Sequence, residues 1–140
     1  MKIIHFTLMS LFSLSANAQT ISMAEKLTAL SLDKAVNRSS PEVKRTQAAL
    51  TRGLTVCNIE KEEKLANIAW SITEKIRAEG QHAETTDIIE GLNAVLSGAR
   101  AKQNCTELLS LYAANRILGS THSDAVIGAR RMYRSTGVVD

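Results

Sequence analysis

The stretch Ser40–Ala78, SPEVKRTQAALTRGLTVCNIEKEEKLANIAWSITEKIRA, carries the strongest structural signal in the chain. Its apolar residues recur at spacings of three and four, not two, which indicates amphipathic helix and not strand. Ser40 followed by Pro41 predicts a helix start, because serine caps the helix and proline at the first helical position needs no N–H partner. The apolar stripe consists of Val43, Leu50, Leu54, Cys57, Leu65, Ile68, Ile72 and Ile76.

The middle of this stretch is its weakest part. Gly53 and the β-branched pair at 55–56 disfavour helix there, and Asn58 could cap a new helix whose first turn is rich in glutamate. We therefore predict two helices, at about 41–55 and 59–78. One long bent helix would fit the same pattern nearly as well.

The rest of the chain repeats the helical pattern on both sides of this stretch. Alanine, leucine, glutamate and lysine are plentiful, and Pro41 is the single proline. Further helices are expected at about 23–37, from Thr85 or Thr86 to 99, at 106–118, and from Ser123 to about 135. The sequence thus predicts an all-α fold, a compact bundle of four to six helices.

The helix at 106–118 has apolar residues on most of its sides, which is typical of a central, buried helix. We expect Leu109 and Tyr112 to be buried there. Leu30 in the first helix and Met132 in the last are also expected to face inward, and the tail at 136–140 is expected to fray.

The N-terminus has the features of a secretory signal peptide. Lys2 precedes a short apolar segment at 3–15, and Ala16-Asn17-Ala18 matches the small-x-small cleavage pattern. The apolar segment is shorter than the roughly 20 residues that span a bilayer, and no later segment supplies a membrane span. We expect residues 1–18 to be cleaved after Ala18, leaving a single helical domain at 19–140 that is periplasmic or secreted.

Cys57 and Cys105 are the only cysteines. An even number of cysteines in an exported chain predicts an intramolecular disulfide, worth at most about 4 kcal/mol for a loop of this length. An intermolecular bridge or a redox pair would be the alternatives. The redox alternative is weak, because there is no C-x-x-C spacing to lower a thiol pKa.

Charge and motifs exclude several classes of function. Loss of Lys2 would lower the formal net charge from +3 to about +2, too weak an excess for a nucleic-acid binder. No nucleophile elbow, P-loop or zincin motif occurs, so we expect no cofactor and no metal site. His82 and His122 are expected to be solvated loop residues. The sequons at Asn37 and Asn104 are interpreted as chance matches, because the cleavage site is of bacterial type.

Trp70 is the most informative single side chain. On an ideal helix it lies about 140° from Leu65, well away from the apolar stripe. It shares that side with Ile59 and Arg77. Coverage by another segment, such as the first helix, would explain this placement. The functional alternative is a partner-binding surface, because tryptophan and arginine are typical of interface hot spots.

Basic residues form two clusters on predicted helices. Solvated helix faces account for them, unless the clusters meet in space and together hold an acidic partner or a carboxylate ligand. The first cluster is Lys44, Arg45 and Arg52, and the second is Arg130, Arg131 and Arg134.

These features favour a small exported helical protein that acts by binding another protein. An inhibitor or toxin-immunity protein is the first choice, followed by a small chaperone. Two alternatives stay open. One is an exported, mutase-like all-α enzyme that clamps a small carboxylate substrate with arginine and lysine, and the other is an assembly subunit of an envelope complex. The sequence predicts neither the identity of the partner nor the oligomeric state.

Overall fold

A computed structural model describes residues 20–140, and six helices account for the architecture of this range. They are α1 (Met23–Leu32), α2 (Pro41–Val56), α3 (Glu62–Ala78), α4 (Thr85–Val95), α5 (Cys105–Ile117) and α6 (His122–Ser135). The predicted all-α fold is confirmed. The predicted signal peptide at 1–18 lies outside the described residues. Within 20–140, no helix is long and apolar enough to cross a bilayer.

The first two helices begin at side-chain caps. At α1, the Ser22 hydroxyl accepts from the Glu25 N–H at 3.2 Å, while the Glu25 carboxylate accepts from the Ser22 N–H at 2.8 Å. At α2, Ser40 precedes Pro41, and its hydroxyl accepts from the Val43 N–H, as expected for the predicted cap. Each bond satisfies a backbone donor that the first helical turn leaves unpaired.

The segment 41–78 forms two helices, not one bent helix. The break is longer than predicted, because the chain between α2 and α3 pairs with the segment before α5. The Asn58 N–H donates to the Gln103 carbonyl at 2.8 Å, and the Gln103 N–H donates to the Val56 carbonyl at 2.9 Å. Asn58 is therefore not a cap: Lys61 takes that position, without a side-chain bond.

The same junction holds the disulfide. Cys57 and Cys105 are bonded, with their Cα atoms 5.4 Å apart, and both side chains are buried. The bond joins the end of α2 to the start of α5, two helices far apart in sequence. The predicted intramolecular disulfide is confirmed, and it is typical of proteins that fold outside the cytoplasm.

The central helix is α4, which packs against each of the other five helices. The prediction that the helix at 106–118 is central was wrong. α5 packs against α3, α4 and α6 only, so its outer side is open and Leu118 beyond its end is 85% exposed. Leu109 and Tyr112 are nevertheless buried, as predicted, on the inner side of α5.

Four placements differ from prediction: the end of α1, Leu30, Met132 and the C-terminal tail. α1 ends five residues early, because Asp33 adopts a left-handed backbone with φ of 50°. Leu30 is 51% exposed and Met132 is 43% exposed, although both were expected to face inward. The tail does not fray within the fold: the Val138 N–H donates to the Tyr133 carbonyl, and Val139 is buried.

Buried threonines connect α1, α2 and α4. The Thr28 hydroxyl donates to the Thr46 hydroxyl at 2.8 Å, and the Thr46 and Thr86 hydroxyls lie 2.7 Å apart. Because each of these buried hydroxyls has a partner, the chain of bonds specifies how the three helices pack.

Candidate functional site

An open groove lies between the end of α1 and the side of α3. Its cavity volume is about 580 Å³. The early end of α1 forms one wall: the Lys34 N–H turns back to donate to the Ala29 carbonyl at 3.2 Å, which leaves Leu30 facing the groove. The other lining residues that matter here are Asp33, Lys34, Ala35, Trp70 and Arg77.

Trp70 forms the apolar floor of this groove. Its side chain is half-buried and packs against the hydrophobic core on its inner side. The predicted coverage by the first helix is thus partial, because α1 supplies lining residues without closing over the indole. Together with Leu30, the exposed part of Trp70 gives the groove an apolar patch that no described residue covers.

Arg77 is fixed beside the indole. Its guanidinium carbon lies 5.7 Å from the centre of the Trp70 ring. Nε donates to the Ala83 carbonyl at 2.9 Å, and one Nη donates to the Ser31 carbonyl at 2.7 Å. These bonds hold α3 to α1 and to the loop before α4, so the arginine is preorganised and not a mobile surface side chain.

Ile59 does not belong to this surface. The expectation that it shares a side with Trp70 assumed a helix beginning near 59, whereas α3 begins at Glu62. Ile59 is only 5% exposed and lies in the connecting segment. The candidate surface is therefore corrected to Leu30, Trp70 and Arg77, which we call the Trp70 groove.

The first basic cluster is partly neutralised within the fold. Arg45 donates to both Glu90 and Asp87, with one Nη 2.6 Å from an oxygen of each carboxylate. These hydrogen bonds raise the pKa of the Arg45 guanidinium. Lys44 and Arg52 are exposed, and neither forms an ion pair with another residue between 20 and 140.

In the second basic cluster, too, one arginine is bound within the fold and the other two are exposed. Arg130 donates to the Ala94, Val95 and Ser97 carbonyls and so binds the negative end of α4. Arg131 and Arg134 are exposed on α6. α2 and α6 both pack on α4 but not on each other, so the two clusters are carried by helices that do not pack together.

A second groove, of about 430 Å³, lies between α2 and α4. Arg45, Arg52 and Glu90 contribute charged groups, and Ala48 and Ala94 contribute small apolar ones. Because Arg45 already binds two carboxylates, a carboxylate ligand entering here would have to compete with Asp87 and Glu90 for it.

A buried polar network was not predicted from the sequence. Arg116 is nine-tenths buried; it donates to the Tyr112 hydroxyl at 2.8 Å and also to the His82 carbonyl. Since a guanidinium only donates, Tyr112 is free to donate its own proton to His122 Nδ1, 2.7 Å away. Only the contact between Tyr112 and Arg116 had a signal in the sequence, because residues four apart lie side by side on a helix.

The two histidines therefore differ in environment. His82 is exposed, as expected for a loop residue. His122 is not a solvated loop residue: it is half-buried in the first turn of α6, and burial lowers the pKa of its ring. Between residues 20 and 140, no three potential metal-ligating side chains of histidine, cysteine, aspartate or glutamate converge.

Comparison with known proteins gives no match. No protein-family model matches the sequence, nor does any curated protein or solved structure.

Proposed function

We propose that this chain is an extracytoplasmic protein-binding domain that holds its partner in the Trp70 groove. An inhibitor or toxin-immunity role is the form we favour, with a small chaperone as a variant of the same class. One observation carries the proposal: Leu30, Trp70 and Arg77 form an open apolar surface whose arginine is already fixed in place.

The composition of the groove is that of an interface hot spot. Tryptophan and arginine are the side chains most enriched at such positions, and an apolar neighbour excludes water around them. Leu30 supplies that neighbour, being 51% exposed on the rim. Since Arg77 is preordered by two backbone carbonyls, a partner would not have to fix its conformation on binding.

The charges around the groove define the chemistry of the partner. Lys34 and Arg77 form no ion pair with any residue from 20 to 140, whereas Asp33 is the one acid in the lining. We propose that the partner inserts an apolar side chain against Trp70 and places a carboxylate near Lys34 and Arg77. The periplasm or the extracellular space is the proposed location, on the basis of the disulfide and the N-terminal pattern.

The alternative of a carboxylate-clamping enzyme has less support. It would need free cationic groups around a pocket, and Arg45 in the α2–α4 groove is held by two internal carboxylates. The buried Arg116 directs its bonds to Tyr112 and to a backbone carbonyl. The alternative of an assembly subunit would require the chain to associate with copies of itself.

A pair of matched variants tests the proposal. Leu30→Glu places a charge in the Trp70 groove, and Leu118→Glu places the same charge on a leucine that is 85% exposed beyond the end of α5. Both should fold, because both side chains face solvent. In affinity capture from the native envelope fraction, a specific partner should be retained by the wild type and by Leu118→Glu but lost with Leu30→Glu. A partner retained equally by all three proteins would contradict the groove assignment.

A further inference from the structure

The outer face of α6 has the charge and shape of a self-complementary surface. Asp124, Ile127, Gly128 and Arg131 recur at spacings of three and four, so they lie on one side of the helix. All four are exposed, and Ile127 is 52% exposed. The two fully buried residues of α6, Ala125 and Ala129, lie outside this face.

The charged groups on this face have no internal partners. The Asp124 carboxylate and the Arg131 guanidinium form neither an ion pair nor a side-chain hydrogen bond with any residue in the described range 20–140. The acid lies near the start of the helix and the base near its end, with Ile127 and Gly128 midway between them. The face is therefore negative at one end, apolar in the middle and positive at the other end.

We propose that this face binds a second copy of the chain, with the two α6 helices packed antiparallel about a two-fold axis between Ile127 and Gly128. In this arrangement, residues equally far from the centre face each other, so Asp124 of each copy meets Arg131 of the other. A two-fold axis doubles each such contact, which is how a surface with opposite charges at its two ends becomes complementary to itself.

Gly128 gives this contact its shape. A Cβ atom built at Gly128 meets no atom within 4 Å, so the space above the glycine is open. In the antiparallel pair, Ile127 of each copy lies over Gly128 of the other, and the absence of a side chain lets the two backbones approach closely. The interface consists of a single helix pair, so the dimer is weak and forms with rising concentration.

Charge reversal with rescue tests the proposed pairing. Sedimentation velocity of the mature protein over a hundredfold range of concentration should show a monomer–dimer equilibrium that weakens at high salt. Asp124→Arg and Arg131→Asp should each raise the dissociation constant at least tenfold, because each places like charges opposite one another. The double variant should restore dimerisation, because the pair is then only inverted.

Two matched controls separate this effect from general changes in charge. Glu63→Arg makes the same reversal in the first turn of α3, and Arg52→Asp makes it at an exposed arginine of α2; both should leave the dimer intact. Gly128→Gln should fold, since the space there is open, yet also weaken the dimer tenfold. A protein that stays monomeric throughout would overturn the proposal, as would a dimer indifferent to these α6 variants or one that the double variant does not restore.

Discussion

Arg77 and Arg116 are both held by backbone carbonyls and an aromatic side chain. Arg77 lies against Trp70 and donates to two carbonyls, and Arg116 lies 5.9 Å from the centre of the Tyr112 ring while donating to its hydroxyl. An arginine in such a setting loses much of its mobility. At the Trp70 groove this fixed charge lies beside solvent, where a partner can use it.

The variant Leu109→Ala tests whether the inner side of α5 belongs to the hydrophobic core. The Leu109 side chain is 1% exposed in the core, so Leu109→Ala should lower the free energy of unfolding by about 2–5 kcal/mol. Leu118→Ala is the control and should change it by less than about 0.5 kcal/mol, because that side chain is exposed. Urea denaturation of the two variants measures both values. Equal effects would mean that Leu109 is not a core residue.

His122 should make stability depend on pH. Burial lowers the pKa of its ring in the fold; Asp87 and Glu90 oppose the shift, while Arg116 adds to it. The unfolded chain then binds the proton more readily, so the stabilisation is complete above the ordinary pKa of about 6.5 and is lost as the pH falls through the lowered value.

The measurement is the free energy of unfolding between about pH 7 and pH 5. The wild type should lose more stability on acidification than His122→Gln, whose amide can still accept from Tyr112 but does not titrate in this range. His82→Gln changes an exposed histidine and should retain the wild-type slope. Identical slopes for all three proteins would show that His122 does not contribute.

At the scale of helices, small residues set the distance between α4 and its neighbours. A Cβ atom built at Gly91 would lie 2.8 Å from Val126 Cγ2 and 3.0 Å from His122 Cε1, both on α6. Val126 is β-branched and stiff, and His122 is held by Tyr112, so neither can move aside at low cost.

Gly91→Ala should therefore destabilise the protein by about 1–3 kcal/mol. Gly128→Ala is the matched control in α6: nothing lies near its Cβ position, so the higher helix propensity of alanine should stabilise the monomer by up to about 1 kcal/mol. Thermal or urea unfolding at low protein concentration distinguishes the two. A stabilising Gly91→Ala would mean that α4 and α6 are not in close contact.

The disulfide constrains the connection between α2 and α5. Replacing Cys57 and Cys105 together by alanine should lower the free energy of unfolding by up to about 4 kcal/mol, the chain-entropy value for a loop of 48 residues. Peptide mapping of the non-reduced wild type should recover the two cysteines linked. Two free thiols in the native protein would contradict both the bond and the stability assigned to it.

Helix content could be predicted from sequence, but helix position within the bundle could not. The Ser40-Pro41 helix start is a local signal, and the structure bears it out. The central position of α4 depends on contacts between helices, which no local sequence pattern predicts. α5 is apolar on most of its sides, yet it packs against only α3, α4 and α6, so Ile117 and Leu118 remain exposed.

The candidate site shows the same division. Trp70 and Arg77 could be identified, because their seven-residue spacing places them on one side of a helix that does form. Leu30 could not, since its place in the groove depends on how α1 packs against α3, which the apolar pattern does not encode. The buried network around Arg116 depends on contacts between helices that periodicity does not encode.

At the scale of the whole molecule, the Trp70 groove and the outer face of α6 are separate surfaces. The groove is built by α1 and α3, and α6 packs only against α4 and α5. A chain with two such surfaces could bind its partner and a second copy of itself at the same time, which would increase avidity for a repeated target.

Site-specific photo-cross-linking in the native compartment tests the binding role most directly. A photoreactive residue at position 30 lies in the Trp70 groove, and one at position 118 is more exposed but lies outside it. Position 30 should give one discrete cross-linked partner that is absent from position 118 and is lost when Arg77→Ala is added. No adduct from position 30, or the same adducts from both positions, would contradict it.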